Sequence, residues 1–425
     1  MIPPFSQMAP RWRVVSFLTV AAALNYADRA ALSSVLPAIK VDLDLTDAQL
    51  GLMGSVFLWS YALASPIAGA LADRFSRRRL VFVSLILWSL VTAFTGAVGG
   101  LVSLLLLRVA LGFTESLYIP AAIALAADHH GTATRGKAIS MVLTGMNVGV
   151  VLGGFGAGYL ADHFGWRSGF WVLGLGGIAF GIIFQPLLSD GPVAADKPVA
   201  AKPRLGEVLG YLVRTPTYYV MMAKAGLASI AVWIFLNWLP LYFKETFNLS
   251  LGMAGFMGTV MLQLTAVLGT MLGGWVSDRA AVHDTRRRLL MHGHGYCLAA
   301  PFLLIFLLEP SLTMAVAAVA GFSLFRGVGN ASEQPIVCDV VPARYRSTAI
   351  GLMNTISSAL GGFAVLVAGL LKGTMGLGGV FSLLTVVFLV AGLALYAGYL
   401  FFGDRDIARA LAHEAQNAGE KPAGG

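Results

Sequence analysis

Gly69 to Arg79 reads GALADRFSRRR, and Gly273 to Arg288 reads GGWVSDRAAVHDTRRR. Each stretch runs from small residues through an Asp-Arg pair to an arginine triplet, and each lies between long apolar segments. Leu80 to Leu107 follows the first and holds no acid or base, and neither does Gly376 to Phe402. About 20 apolar residues cross the hydrocarbon core of a bilayer. The segments therefore read as membrane spans, and the arginine stretches as short loops between them. Only 12% of the 425 residues are charged and 57% are hydrophobic, roughly half the charge of an average soluble domain.

The same reading predicts twelve spans between residues 14 and 402, an all-α membrane protein. A polar, proline-bearing stretch divides them into two groups of six. The expected organisation is a six-helix bundle over 1–188, a cytoplasmic linker over 189–216, a second bundle over 217–403 and a cytoplasmic tail over 404–425. A short amphipathic helix is expected at Leu205 to Val213, and the polar tail is expected to fray. If both termini are cytoplasmic, 21 of the 29 Lys and Arg residues fall in inside loops and four outside. That bias sets the orientation by the positive-inside rule and predicts a multi-pass protein of the plasma (inner) membrane. The first apolar run is too long and too charged for a signal core, so it is expected to remain as a span.

Composition also excludes function classes. The net charge of +8 does not point to nucleic acid, because the bases sit in short loops between spans. The two cysteines imply no disulfide framework. No zinc spacing appears, and His129, His130, His292 and His294 are expected in loops or at helix ends. With no nucleotide loop, catalytic triad or metal site, no enzyme and no cofactor are expected.

The two arginine stretches have a companion repeat. ADHHGTATRGKAIS (Ala127 to Ser140) parallels CDVVPARYRSTAIG (Cys338 to Gly351) at a spacing of 211 residues, which aligns Asp128 with Asp339 and Arg135 with Arg346. Two six-span halves related by repeat are how many secondary transporters are built, with substrate between the halves. The first loop also resembles the signature of the major facilitator superfamily, G-x-x-x-D-R-x-G-R-R-[RK], with Ser76 where glycine is usual. The resemblance implies two pseudo-symmetric six-helix bundles. It also implies a gate latch built from Asp73, Arg74 and Arg77, with Asp278 and Arg279 in the second half. Topology alone is the plainer account of these arginines.

Ionisable groups inside spans cost several kcal/mol and are functional candidates by default. They are Asp28, Arg29, Arg108, Glu115, Lys224, Arg326 and Glu333. A carboxylate in a dry cavity holds its proton more tightly, and a nearby guanidinium opposes this. A carboxylate whose arginine partner comes and goes is thus a proton switch, and Asp28 and Glu115 are the proposed proton-coupling pair. Arginine keeps its proton and grips carboxylates bidentately, so Arg29, Arg108 and Arg326 are candidates for an anionic substrate. Static Arg29–Glu115 or Asp28–Arg108 bridges that only set helix packing are the alternative. The spacing of 211 sets Arg326 opposite Glu115. Lys224 is expected to snorkel to the interface, and Glu333 to belong to an inner gate. Tyr26, Tyr61, Asn147, Asn354 and Ser357 complete the expected substrate site, with Trp233 and Asn237 also able to line it.

Within the superfamily, Tyr26, Asp28 and Arg29, Arg108 and Glu115, the GWR of Gly165 to Arg167, and Asp339 to Asn354 resemble the anion:cation symporters. That family includes sugar-acid, hexuronate and sialin-like carriers. The resemblance implies symport of a proton with a small organic anion, a sugar acid or other carboxylate, by a monomer in the bilayer. Spinster-like lipid transporters also carry an Asp-Arg pair in helix one and a Glu in helix four, so a lysolipid carrier is the alternative. A non-transporting membrane sensor is a further one, disfavoured by the short tail.

Overall fold

The computed structural model describes residues 9–190, 205–282 and 284–419, with side chains for all of these except 73, 74, 132, 133 and 416–419. Among the described residues every regular element is helical. The helices are α1 (Pro10–Asp42), α2 (Asp47–Arg74), α3 (Arg77–Thr95), α4 (Leu101–Ser116), α5 (Tyr118–Asp128), α6 (Thr132–Phe164) and α7 (Trp166–Phe184). They continue as α8 (Leu205–Val213), α9 (Pro216–Phe247), α10 (Leu251–Ala281), α11 (Arg287–Leu304) and α12 (Leu312–Asn330). The last three are α13 (Glu333–Val340), α14 (Arg346–Ala397) and α15 (Gly403–Gly419).

Twelve spans result. Ten helical stretches of described residues are long and apolar enough to cross a membrane. The last of them holds two spans, because α14 breaks at Gly376, where φ is +68°. The twelfth is α1, which carries Arg11, Arg13, Asp28 and Arg29. Gly165, at φ +81°, separates α6 from α7 in the same way, and Gly165 and Gly376 are again 211 residues apart. A positive φ costs glycine nothing and strains other residues, so the repeat extends to the turns.

Local chemistry sets the other ends. Thr46 and Gln49 form a reciprocal capping box on α2, and Ser311 caps α12. Ser76 caps α3 by accepting the Arg79 amide and donates to Asp190 at 2.9 Å. α4 gives way to α5 just before Pro120, and α12 to α13 just before Pro335; proline has no amide to continue a helical ladder.

Small residues let the helices meet closely, as membrane packing requires. Gly145, Gly149 and Gly153 on α6 face Thr19, Ala23 and Ala27 on α1, where an added Cβ would lie 2.1–2.3 Å from a carbonyl oxygen. Gly269 and Gly273 on α10 meet Leu324 and Val328 on α12 as closely. Elsewhere large apolar side chains such as Leu63, Leu106, Ile183, Leu393 and Leu400 are exposed, which suits a surface solvated by lipid tails.

The chain forms two compact units. The first comprises Met1–Pro198, Trp233–Val260 and Gly362–Thr374; the second comprises Val199–Val232, Met261–Gly361 and Met375–Gly425. In the first, α9 and α14 are tied in by Trp238 Nε1, which donates to the Val365 carbonyl at 3.2 Å. Ser55 Oγ adds a bond to the Gly362 carbonyl at 2.6 Å. In the second, α8 forms over the predicted residues and buries Val208, Tyr211 and Leu212 against α9, α13 and α14. The tail does not fray over its described residues, which end at 419. It forms α15, because Ile407 and Ala410 find cover and the buried Asp406 caps the Thr217 amide at 2.8 Å.

Candidate functional site

Adjacent helix residues point about 100° apart, and Asp28 and Arg29 of α1 do so. The Asp28 carboxylate is buried and accepts a hydrogen bond from Thr92 Oγ1 of α3 at 2.9 Å. Arg29 faces α2 and α4. Its Nε donates to Glu115 Oε2 at 2.7 Å and its Nη2 to Asn25 Oδ1 at 3.3 Å. The rings of Tyr26, Tyr61 and Phe57 surround the guanidinium at 4.7, 4.8 and 5.1 Å from their centres. Ring faces attract such a cation, the more so when it is dry. Glu115 is wholly buried, and its Oε1 has no partner among the described residues.

Arg108, two turns before Glu115, lines the same cavity as Arg29, with Tyr26, Phe57, Trp233 and Asn237. It is 4% exposed. Among the described residues it makes no hydrogen bond or ion pair. The Asp28–Arg108 bridge does not form, because Asp28 turns to Thr92. Glu115 and Asp28 attract Arg108 at longer range, but its donor fork is left free for an anion entering here.

Tyr26, Arg29, Tyr61, Arg108 and Glu115 thus gather in one place. Asn147 does not join them; its Nδ2 donates to the Leu143 carbonyl of its own helix at 3.1 Å. Arg326, Asn354 and Ser357 belong to the second unit. There Arg326 is buried with its Nε unpartnered, Asn354 is exposed, and the Ser357 carbonyl accepts from Ser229 at 2.7 Å. Two histidine and lysine expectations fail. Lys224 does not snorkel; it is 1% exposed and its Nζ meets Glu333 Oε2 at 2.8 Å. His292 and His294 both lie inside α11, where His292 is wholly buried and packed against Tyr296. Thr92 and Phe57 were not foreseen, since a threonine and a phenylalanine in apolar spans carry no local signal.

The arginine-rich end of the helices carries paired clamps. Arg77 at the start of α3 bonds Asp128 at the end of α5. Arg288 of α11 bonds both oxygens of Asp339 on α13, at 2.7 and 3.0 Å. Arg288 also reaches Asp278 at 3.6 Å, and Arg279 lies over the Trp275 ring at 3.7 Å. The side chains of Asp73 and Arg74 lie outside the described residues.

The opposite end of the first unit has clamps that the sequence did not suggest. Asp162 near the end of α6 accepts the Leu251 and Gly252 amides at 2.9 and 2.8 Å, where the helix dipole of α10 favours an anion. Lys372 on α14 bridges Asp47 at 2.9 Å and Glu245 at 2.8 Å.

Spans in two repeated halves and this buried charge set agree with what comparison finds: the Major Facilitator Superfamily pattern matches residues 18–365 and 227–423. The chain belongs to the Major Facilitator Superfamily. Among its relatives is a hexuronate transporter of Bacillus subtilis (strain 168), 27% identical over 398 residues, covering 88% of this chain and 93% of the relative. Another is a probable chloroplastic anion transporter of Oryza sativa subsp. japonica, 25% identical over 410 residues, covering 91% and 68%. A solved structure, of a bacterial homolog to the human lysosomal transporter Spinster in an inward-facing, unoccupied conformation, matches with a TM-score of 0.77. It shares 22% identity and covers 95% of this chain and 99% of that one, which establishes a common fold.

Proposed function

We propose that the protein is a secondary active transporter that carries a small organic anion, a sugar acid or other carboxylate, together with a proton by alternating access. The observation that carries this reading is Arg108, buried and unpaired beside the Arg29–Glu115 pair in one cavity. A carboxylate arriving there meets a donor fork shaped for it. A proton on Glu115 ends its hold on Arg29, and the three rings keep that guanidinium in place for the same anion. Proton and anion then favour each other's binding, and the linkage is reciprocal. Asp28, tied to Thr92, is the second acid on this path.

The relatives named for hexuronate and for anions support a carboxylate cargo. The positive-inside bias supports placing the arginine clamps and both termini in the cytoplasm. There Arg77–Asp128 and Arg288–Asp339 serve as latches that break when that side rearranges.

The test is uptake of labelled D-glucuronate, D-galacturonate and D-glucarate into proteoliposomes under an imposed pH gradient, with a labelled lysolipid as the competing cargo. Accumulation of a sugar acid that collapses with a protonophore is expected. Movement of the lysolipid alone would give the protein the lipid role instead. Uptake indifferent to the gradient would remove the proton.

A further inference from the structure

The arginine-rich end of the second unit holds a cavity of about 370 Å³ that shares no residue with the Arg29–Arg108 site. It lies where α8, the loop before α14 and the tail helix α15 meet. Its size falls within the roughly 300–1,000 Å³ that small-molecule sites occupy.

The floor is aromatic. Tyr211 and Tyr345 are buried with ring centres 5.4 Å apart, and the His413 ring stands 5.4 and 5.5 Å from them. Two guanidiniums rest on that floor: Arg344 lies 4.6 Å from the centre of the Tyr345 ring, and Arg409 lies 5.3 Å from that of Tyr211. Ring faces hold cations in place without taking up their donors. Arg344 also bonds Glu207 and the Tyr345 hydroxyl, and Arg409 Nη1 donates to the Arg214 carbonyl at 2.6 Å. The Arg214 side chain is exposed and makes no hydrogen bond or ion pair among the described residues.

Three arginines from three elements thus line the cavity against one carboxylate, Glu207, and three less one leaves an excess of two positive charges. Like charges gathered in this way repel one another unless an anion joins them. Planar guanidinium forks suit phosphate oxygens. A phosphate monoester carries about 1.5 to 2 negative charges near neutral pH, which matches the excess; a single carboxylate would not.

α8 shows from which side such a ligand comes. Leu205, Leu209 and Val213 form an exposed apolar stripe at every fourth residue. A stripe of this kind rests in the boundary between headgroups and acyl chains. Glu207 and Gly210, which line the cavity, stand roughly 100–160° around the helix from Leu209. With the stripe in the boundary, the cavity faces away from the bilayer and toward water. A soluble ester reaches it and a lipid headgroup does not.

We propose that this cavity binds a soluble phosphate monoester through Arg214, Arg344 and Arg409. The ester joins α15 to α8 and to the loop before α14, and so fastens the tail helix. α15 already touches that loop through Glu414, which accepts the Ala343 amide at 3.1 Å and Arg346 Nη2 at 3.3 Å. A ligand here acts as a regulator, and the inference does not rest on the cargo assigned above.

The test uses the full-length protein in phosphatidylcholine nanodiscs, with glucose 6-phosphate as the probe and glucose as the uncharged control. Calorimetry reads binding, and hydrogen exchange reads the fastening of α15. Glucose 6-phosphate is expected to bind and to slow amide exchange in α15, and glucose to do neither. Arg214→Gln should weaken binding roughly tenfold, the loss of one charge-assisted contact; Arg214→Glu should weaken it further, and Arg108→Gln should not change it. Arg409→Gln, with the same expected loss, keeps the test open if an Arg214 variant does not fold. No binding to the parent, equal binding to the Arg214 and Arg409 variants, or a loss confined to Arg108→Gln would each overturn the site. Displacement of glucose 6-phosphate when phosphatidylglycerol is added to the nanodiscs would assign the cavity to a lipid headgroup and overturn the soluble ligand.

Discussion

Arg288 holds Asp339 through both carboxylate oxygens, at 2.7 and 3.0 Å, across 51 residues of chain. One repeat earlier Arg77 holds Asp128, also 51 residues away. The two half-buried pairs pin the arginine loop of each half to the foot of a broken helix. Hydrogen bonds to charged groups contribute roughly 1.5–3 kcal/mol, so Asp339→Asn should lower thermal stability by about that much. The exchange Arg288→Asp with Asp339→Arg should recover a good part. Melting curves of the purified variants check this; no recovery in the exchanged pair would mean that the contact does not stabilise this state.

Arg108 is the second test. If its free fork takes the substrate carboxylate, Arg108→Gln removes a charge-assisted bidentate contact of about 2 kcal/mol. That corresponds to a roughly 30-fold weaker apparent affinity. Arg108→Lys, which keeps the charge and loses the fork, should fall between. Concentration dependence of D-glucuronate uptake decides it, and equal affinity in all three proteins would place the anion elsewhere.

Glu115 separates coupling from binding. Glu115→Gln keeps the shape of the group that meets Arg29 but cannot take up and release a proton as a carboxyl does. Uphill accumulation driven by a pH gradient should vanish while exchange of labelled for unlabelled substrate persists. Loss of both would make Glu115 a packing residue.

The α1–α6 contact yields a stability contrast within one helix. A Cβ on Gly149 would stand 2.1 Å from the Ala23 carbonyl oxygen, whereas one on Gly156 meets nothing within 4 Å. Gly149→Ala should cost roughly 1–3 kcal/mol through forced separation of the helices. Gly156→Ala should be neutral or stabilising by up to about 1 kcal/mol through helix propensity. Thermal unfolding of the two variants gives the comparison.

Beyond the spans, Asp42 accepts from Arg167 Nη1 at 2.8 Å and from Trp166 Nε1 at 3.2 Å. The Arg167 hydrogen bond first, and that of Trp166 second, hold its carboxyl below the usual carboxylate range. A lowered value means that the contribution is complete above the ordinary value near ~4 and is lost as pH falls through the folded one. Both side chains are over a third exposed, so the effect is under about 1 kcal/mol. The stability difference between the parent and Asp42→Asn should therefore narrow between about pH 5 and pH 3. A constant difference across that range would show that the hydrogen bonds do not depend on the charge.

Span number, the two repeated halves and the intramembrane charges were all legible in the chain. Lipid sets that legibility: long uncharged runs have one destination, and each charge within them stands out against its cost. Pairing was not legible. Nothing near Asp28 in sequence distinguishes Thr92, 64 residues on, from any other polar residue in a span. Lys224 looked like an interface lysine until Glu333, 109 residues away, closed over it. Nor did the sequence indicate that Arg29 would take Glu115 while Arg108 stayed free.

The sequence by itself determined what must cross the membrane, roughly where the chain turns and which residues carry charge into the hydrocarbon, because those depend on hydropathy, on loop charge and on repeat spacing along the chain. Only the tertiary structure decided which charge meets which. Partner choice inside a bundle depends on helix rotation and on the depth at which small residues let helices approach, and a distance of 2.7 Å between Arg29 and Glu115 is set by both at once.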